Sequence, residues 1–429
     1  MAKVVGLRCL RCSSGFGVQH YASDCPKCRN EAPSNLVVAY DDALTRSRAR
    51  PMGADHGLWR YGDILPVSVG EAVSLGEGGT PLHRLSALGK RLGLEGLLGK
   101  DETRSPTWSF KDRLACIAVS TARKMAAPAV VSSSTGNAGA AVAAYAAKAN
   151  LPCIIFTAGS VAGPLQTQMR AYGATVVTLA QKERRWPLMR HAVDHFGWFP
   201  TSPFFGPVVG SNPYGIEGYK TLAYEIVEAL NWRVPDCCVL PVCYGDSLIG
   251  MWRGFEEMLA LGWTDRMPRM MAAEVYGSLG AALRDGGDAL PDMPMTHDTL
   301  AKSTTATRST YQALYVLRKS GGAATMVVNE TILQYQQELA QLEGLYVEPA
   351  SAGALAAVAQ FREAGQIRAD ETVVTLLTAS GLKDPQATAA AQRELRCDDG
   401  DMESTFRRLR EAVPAAFGLE PAGGVERRM

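Results

Sequence analysis

From about residue 70 to residue 380, short apolar, β-rich runs alternate with longer stretches whose apolar residues recur at helical spacing. Residues 126–136, AAPAVVSSSTG, read as a strand passing into a loop; 137–150, NAGAAVAAYAAKAN, as an alanine-rich helix; and 151–159, LPCIIFTAG, as a strand. QTQMRAYGA (166–174) predicts a helix and ATVVTLA (174–180) a strand. The strand–helix order returns in DCCVLPVC (236–243), DSLIGMWRGFEEMLALG (246–262), RMMAAEVY (269–276) and TVVTLLTAS (372–380). Strands separated by helices need right-handed crossovers, so the pattern predicts an α/β fold of mostly parallel sheets covered on both faces. No internal repeat stands out.

The flanks differ. Residues 31–65, with Pro33, Pro51 and the arginine-rich run 46–50, predict a linker and an extended segment. The tail from about 390 is charged and ends EPAGGVERRM, a frayed end or a partner contact. At 429 residues the chain has room for about two or three domains. Its net charge of +1 gives no electrostatic reason for a nucleic-acid or membrane partner. The most apolar stretch is broken by Lys148, Asn150 and Pro152, so no bilayer span is predicted. The N-terminus has no apolar segment of signal-peptide length, and the expectation is a cytoplasmic protein.

Ten cysteines suit a reducing compartment. Cys9-Leu-Arg-Cys12 and Cys25-Pro-Lys-Cys28 form C-x2-C-x12-C-x2-C. Each C-x2-C is a knuckle that turns two thiolates toward one ion, and two knuckles complete a tetrahedral zinc shell. Four sulfurs leave no open coordination position, so such a zinc is structural; the alternative is four coincidental thiols. The short spacer, with Gly15, Gly17 and Asp24, suits two small strands of a zinc ribbon.

In a parallel sheet the loops at the carboxyl ends of strands feed helix N-termini, and ligands collect there. Ser132-Ser-Ser-Thr-Gly-Asn-Ala-Gly139 is one such loop, either an anion site or a capping cluster. Leu240-Pro-Val-Cys-Tyr-Gly-Asp-Ser-Leu248 is a second and Thr378-Ala-Ser-Gly381 a third. Ser105-Pro-Thr-Trp-Ser-Phe-Lys-Asp-Arg113 places Lys111 where a helix begins, although the helix dipole disfavours a cation there. Either Asp112 offsets a solvated charge, or the lysine is held for covalent chemistry.

Taken together in their order, these segments resemble the fold-type II pyridoxal-phosphate enzymes, most closely the threonine synthase family. Leu75-Gly-Glu-Gly-Gly-Thr-Pro-Leu82 is similar to that family's LGEGNTPL, SPTWSFKDR to NPTGSFKDR, and SSSTGNAG to ASTGNTSA. Ser211-Asn-Pro-Tyr-Gly-Ile-Glu-Gly-Tyr-Lys-Thr221 resembles SNPYRIEGQKT, Glu348-Pro-Ala-Ser-Ala352 the EPASA segment, and TASGLKDP the family's TGHGLKDP. The resemblance covers about residues 70–390, and some family members also carry an N-terminal zinc ribbon.

The resemblance implies that Lys111 is joined covalently to pyridoxal 5'-phosphate and, once displaced by an amino acid, acts as general base at Cα. It also implies that Asn137 bonds the ring hydroxyl, that Cys243, Tyr244, Gly245, Asp246 and Ser247 hold the phosphate, and that the Thr378 hydroxyl faces the pyridine nitrogen. Ser134 and Thr135 would take the substrate carboxylate, with Trp108, Tyr219 and Lys220 shaping the rest of the pocket. The implied architecture is a zinc ribbon (1–35), a linker and the first part of a large α/β domain (36–104), a small α/β domain (105–225), the rest of the large domain (226–390) and a tail (391–429). The implied reaction is β- or γ-elimination or replacement on a small amino acid. Threonine synthesis leads, an ammonia-lyase acting on serine, threonine or a diamino acid follows, and a non-catalytic cofactor-binding protein is the third reading. A homodimer is implied by analogy.

Three departures from the family pattern matter. The phosphate loop, GNAGN in the family, reads Cys243-Tyr-Gly-Asp-Ser247, and Asp246 is expected to point away from a phosphate of like charge. Gly215 stands where the family carries an arginine suited to a substrate phosphate, leaving Lys220 to compensate. Trp108 replaces a glycine beside the lysine. His191 and His195 share a helical spacing but lack a third ligand, and are expected to be ordinary surface or core residues. Cys243 is expected to be a small buried side chain, with Trp252 and Phe255 in the core.

Overall fold

The computed structural model describes residues 3–18, 24–41, 50, 57–158, 163–389, 402–413 and 416. The chain begins with strands β1 (Val4–Cys9), β2 (Gly15–Phe16) and β3 (Leu36–Tyr40), followed by β4 (Leu82–Arg84) and β5 (Leu97–Asp101). Next come helix α1 (Lys111–Lys124), strand β6 (Val130–Ser133), helix α2 (Asn137–Lys148) and strands β7 (Cys153–Ala158), β8 (Thr175–Leu179) and β9 (Phe199–Pro200). Strand β10 (Cys237–Pro241), helix α3 (Asp246–Ala260), strand β11 (Arg269–Glu274), helix α4 (Tyr311–Ser320), strand β12 (Ala324–Met326), helix α5 (Pro349–Glu363) and strand β13 (Val373–Leu377) follow, and further helices, among them Pro164–Ala171 and Arg185–Phe196 between β7, β8 and β9, fill the intervals.

These strands form three sheets: β2-β1-β3, the six-stranded β12-β11-β10-β13-β5-β4, and the four-stranded β8-β7-β6-β9. In the two larger sheets every pairing is parallel except β4 with β5. β13, VVTLL, is buried at all five positions, as a strand covered by helices on both faces must be. The strand–helix alternation read from the sequence is therefore correct.

The N-terminal sheet runs past the expected ribbon boundary at residue 35: β3 takes up part of the stretch read as a linker and an extended segment, and pairs antiparallel with β1 from Val4↔Tyr40 to Cys9↔Leu36. Leu7, Leu36 and Val38 join the same buried cluster as α1, α2 and α3, so the ribbon packs into the main core. Residues Met1–Asp384 form one compact unit and Pro385–Met429 a second. In the second unit a helix spans Met402–Ala412 with none of its residues buried. The terminal EPAGGVERRM lies outside the described residues.

Candidate active site

Lys111 is the first residue of α1, and two neighbouring segments hold its backbone in place. Phe110 N donates to Thr378 O at 2.8 Å, Ser380 N donates to Trp108 O at 3.0 Å, and Ser109 bridges Ala379. On the other side of Thr378–Ser380, Val347 bridges Ser380 and Glu348 N donates to Ala379 O at 2.9 Å. Three segments distant in sequence thus lie edge to edge. The Lys111 amine sits 4.7 Å from the centre of the Phe110 ring and 5.8 Å from that of Tyr219.

Glu348 ties the remaining groups together. Asn137 Nδ2 donates to its Oε2 at 2.8 Å and Thr378 Oγ1 to its Oε1 at 3.1 Å, while Thr378 Oγ1 and Ser351 Oγ lie 2.6 Å apart. Burial raises the Glu348 carboxyl above its ordinary range, partly offset by Asn137, Thr378, Lys383 and Lys111. Asn137 Oδ1 is buried without a partner. An amide nitrogen has two protons and only one goes to Glu348, so this side chain keeps hydrogen-bonding capacity for a ligand. Glu348 lies within EPASA, and nothing in that motif says that its carboxylate links Asn137 to Thr378.

Below α1, Arg113 is wholly buried and donates to Glu102 from Nε and Nη2 at 2.8 Å, and to Glu225 from Nη1 at 2.7 Å and Nη2 at 2.8 Å. Lys100 Nζ adds a 2.6 Å bond to Glu225, and Gly79 N one at 3.0 Å. Burial alone would raise the Glu225 carboxyl, but the Arg113 and Lys100 charges outweigh it and hold it well below the usual range. Asp112 instead accepts from Thr107 N at 2.7 Å and Thr107 Oγ1 at 2.6 Å, and burial pushes it up to about 7. The acid and the base after Lys111 therefore fix the loop and the helix.

The second loop passes from β10 into α3. Gly245 has φ +75°, and a Cβ there would stand 2.6 Å from that of Ala313, so this turn requires glycine. The Cys243 carbonyl accepts from Ser309 Oγ at 2.9 Å, and the Tyr244 carbonyl from Thr310 Oγ1 at 2.6 Å and Gln312 Nε2 at 2.8 Å. With its carbonyls engaged there, the loop presents the α3 N-terminus, the arrangement that binds phosphate elsewhere. Ser247 is buried in the first turn of α3, and burial pushes the half-buried Cys243 up to about 11. An amine on Lys111, spare hydrogen-bonding capacity on Asn137 and a helix N-terminus after Gly245 are groups that a phosphorylated pyridine aldehyde would use.

Asp246 corrects an expectation. It does not point outward: it is buried and accepts from Ser211 N at 3.0 Å, Ser211 Oγ at 2.6 Å and Gln312 Nε2 at 2.8 Å. It fastens the SNPYG segment to the loop.

The residues read as substrate contacts separate. Ser134 Oγ accepts from Gly136 N at 3.2 Å and Gly139 N at 2.9 Å, so it folds the loop before α2, whereas Thr135 is exposed. Tyr219 is buried, stacks on Phe110 with ring centres 5.2 Å apart, and leaves its hydroxyl unpartnered. Trp108 is half exposed and holds φ +63°, the left-handed region that favours glycine. Lys220 is wholly buried, with Nζ on Glu217 Oε2 at 2.7 Å, Glu257 Oε1 at 2.8 Å and the Ile64 carbonyl at 2.9 Å. It is not free to replace the missing arginine. A Cβ on Gly215 would lie 2.9 Å from Leu114 Cγ, so this position faces α1.

A cleft of about 360 Å³ adjoins the loop, lined by Tyr244 and Ser309 together with Lys182, Trp186 and Arg308. In the ribbon, Cys9 and Cys28 Sγ stand 3.9 Å apart, Cys12 and Cys25 Sγ 3.7 Å, and all four sulfurs lie within 4.8 Å of one another. Roughly 3.8 Å is the sulfur–sulfur edge of a tetrahedron with zinc–sulfur bonds of about 2.3 Å. Arg11 N and Cys12 N donate to Cys9 Sγ at 3.3 and 3.4 Å, as expected for a knuckle that stabilises a thiolate. His191 and His195 stack at 4.1 Å on the surface, and among the described residues the four cysteines are the only metal-competent cluster. Trp252 and Phe255 are core residues, as read.

The fold and site define a fold-type II pyridoxal-phosphate enzyme. The family described as "Pyridoxal-phosphate dependent enzyme" matches residues 73–379. The threonine synthase of Methanosarcina acetivorans is 33% identical over 417 residues, covering 95% of this chain and 98% of its own. That of Methanocaldococcus jannaschii is 34% identical over 415 residues, covering 94% and 99%. Among solved structures, the L-serine ammonia-lyase of Rhizomucor miehei superimposes with a TM-score of 0.61 at 18% identity, covering 72% of this chain and 96% of that one. Maize serine racemase gives a TM-score of 0.59 at 19% identity, covering 79% and 93%. These two likenesses speak for the fold. The chain belongs to the pyridoxal-phosphate-dependent enzyme family, in its threonine synthase branch, and is a lyase of that type.

Proposed function

We propose that the protein carries out threonine synthase chemistry: elimination and replacement on an amino acid with a leaving group at its γ carbon. The supporting observation is the network in which Glu348 receives both Asn137 and Thr378 while the Thr378 backbone is bonded to the segment carrying Lys111. When bound, the cofactor supplies an electron sink for a carbanion at Cα. Lys111 anchors it and, once displaced by the substrate amine, removes the Cα proton and returns it later. Asn137 would hold the ring hydroxyl oxygen, residues 243–247 the phosphate, and Thr378 the ring nitrogen, its single hydroxyl proton turning from Glu348 to that nitrogen once the cofactor is in place. A neutral hydroxyl there leaves that nitrogen largely unprotonated, which favours elimination and replacement over transamination. Thr135 and the amides before α2 receive the substrate carboxylate, and Ser134 shapes that turn. The Phe110 and Tyr219 rings flank the amine at 4.7 and 5.8 Å from their centres.

One observation favours a second reading. Lys220 is engaged by two carboxylates and Gly215 faces a helix, so neither supplies a cation to a phosphate leaving group. An ammonia-lyase acting on serine, threonine or a diamino acid needs no such cation. Incubation with O-phosphohomoserine, measuring inorganic phosphate and threonine, decides between them. Threonine formation supports the first; ammonia from serine or threonine, with no response to O-phosphohomoserine, supports the second.

We also infer a structural zinc at Cys9, Cys12, Cys25 and Cys28, supported by the sulfur spacing. All nine cysteines among the described residues are unpaired, which supports a reducing, cytoplasmic setting, and no described helix is long and apolar enough to cross a membrane. A homodimer is inferred by analogy with other enzymes of the class.

A further inference from the structure

The ribbon and the phosphate loop touch the same turn of the protein, the start of α4. On one side Ser309, Thr310 and Gln312 bond the carbonyls of Cys243 and Tyr244, and Gln312 also bonds Asp246. On the other side Asn35, just before β3, donates from Nδ2 to Gln312 Oε1 at 2.7 Å. Arg11, inside the first cysteine knuckle, lays its guanidinium 3.6 Å above the Tyr311 ring centre and pairs with Asp288 at 2.8 Å.

The amide chain can run in only one direction. Leu36 N donates to Asn35 Oδ1 at 2.9 Å, which turns Asn35 Nδ2 toward Gln312. A carbonyl and a carboxylate, Tyr244 O and Asp246 Oδ1, take both Nε2 protons of Gln312, so its Oε1 must face Asn35. Asn35 is 1% exposed and Gln312 0%, so water cannot stand in for a lost partner without rearrangement. The approach is close enough that a Cβ on Gly210 would lie 2.5 Å from Gln312 Nε2 and 2.7 Å from Asn35 Nδ2.

Asn35 is itself held by the knuckles. Its carbonyl accepts from Leu10 N, between Cys9 and Cys12, at 3.2 Å, and the Ser34 carbonyl beside it accepts from Cys25 N at 2.9 Å. A ribbon this small owes much of its order to its metal.

We propose that Asn35 and Gln312 are positioning residues that transmit the state of the four-cysteine site to the cofactor's phosphate loop. Metal bound in the ribbon fixes Asn35, Asn35 orients Gln312, and Gln312 sets the Tyr244 carbonyl and Asp246 so that the α3 N-terminus presents its amides to a phosphate. This rests on the proposed zinc and on the proposed phosphate role of residues 243–247.

The test removes cofactor from the purified enzyme and titrates back pyridoxal 5'-phosphate or unphosphorylated pyridoxal, before and after the metal is stripped with a chelator. Binding is followed by visible absorbance. Metal removal should weaken pyridoxal 5'-phosphate about five- to a hundredfold, the usual range for coupled sites, and leave pyridoxal unchanged. Asn35→Ala should show the weaker affinity with metal present and no further loss without it. The wild-type contrast between the two ligands needs no variant to fold. Equal weakening of both ligands, or indifference of pyridoxal 5'-phosphate to the metal, overturns the relay. Metal analysis separates this from the reading beneath it: purified protein with no metal on its cysteines overturns the zinc assignment as well.

Discussion

Asn137 and Glu348, 211 positions apart, share a 2.8 Å hydrogen bond that joins the start of α2 to the residue before α5. That bond crosses from the helices of the four-stranded sheet to those of the six-stranded one, and Thr378 meets Glu348 from the end of β13. The Asn137 side chain is thereby held with its oxygen unpartnered. Asn137→Ala should weaken cofactor binding about ten- to a hundredfold, the loss of a hydrogen bond to a charged group at roughly 1.5–3 kcal/mol. Absorbance titration checks it; unchanged affinity would remove Asn137 from the site.

Glu225 anchors the helix that carries Lys111. Its folded pKa lies below the ordinary 4.5, so the stabilisation is complete above that pH and fades as the pH falls through the folded value. Glu225→Gln leaves Arg113 buried with one anionic partner fewer, and should cost about 3–5 kcal/mol near neutral pH. The gap between variant and wild type should narrow toward about pH 3. Urea unfolding at both pH values measures it, and a gap independent of pH would contradict the assignment.

Lys220 belongs to a different network from the one its motif suggested. Lys220→Met should lower stability by about 3–5 kcal/mol, since Glu217 and Glu257 lose their shared cation. The KM of the folded variant should stay near the wild-type value. A large rise in KM with little loss of stability would restore Lys220 to the substrate pocket.

Trp108 holds a backbone conformation that costs a non-glycine residue about 1–2 kcal/mol. Trp108→Gly should therefore leave thermal stability equal or higher despite the lost side chain, and should widen the range of amino acids accepted. Calorimetry and a substrate panel test the two parts separately.

Much of this was legible in the sequence because it is local. Strand–helix alternation, the paired knuckles, and lysine at a helix start each depend on near neighbours, and the structure repeats them. What sequence could not give is which distant side chains close a contact. Asp246 looked like a charge to be turned outward, yet Ser211 and Gln312 give it three donors. Glu348 sits inside the EPASA motif, but its role needs Asn137 and Thr378 brought to it by the fold. Leu36–Tyr40 lies in the stretch that reads as a linker and an extended segment, and only its pairing with β1 makes it the third strand of the ribbon.

Attachment of the cofactor at Lys111 has one competitor nearby. Lys383 is buried, is brought down to about 8 chiefly by burial, and lies close enough to Glu348 for their charges to interact. Borohydride reduction of the purified enzyme followed by peptide mapping locates the cofactor directly. The phosphopyridoxyl group should be found on the peptide containing Lys111 and be absent from Lys111→Ala; finding it on Lys383, or on no lysine of the site, would contradict the account.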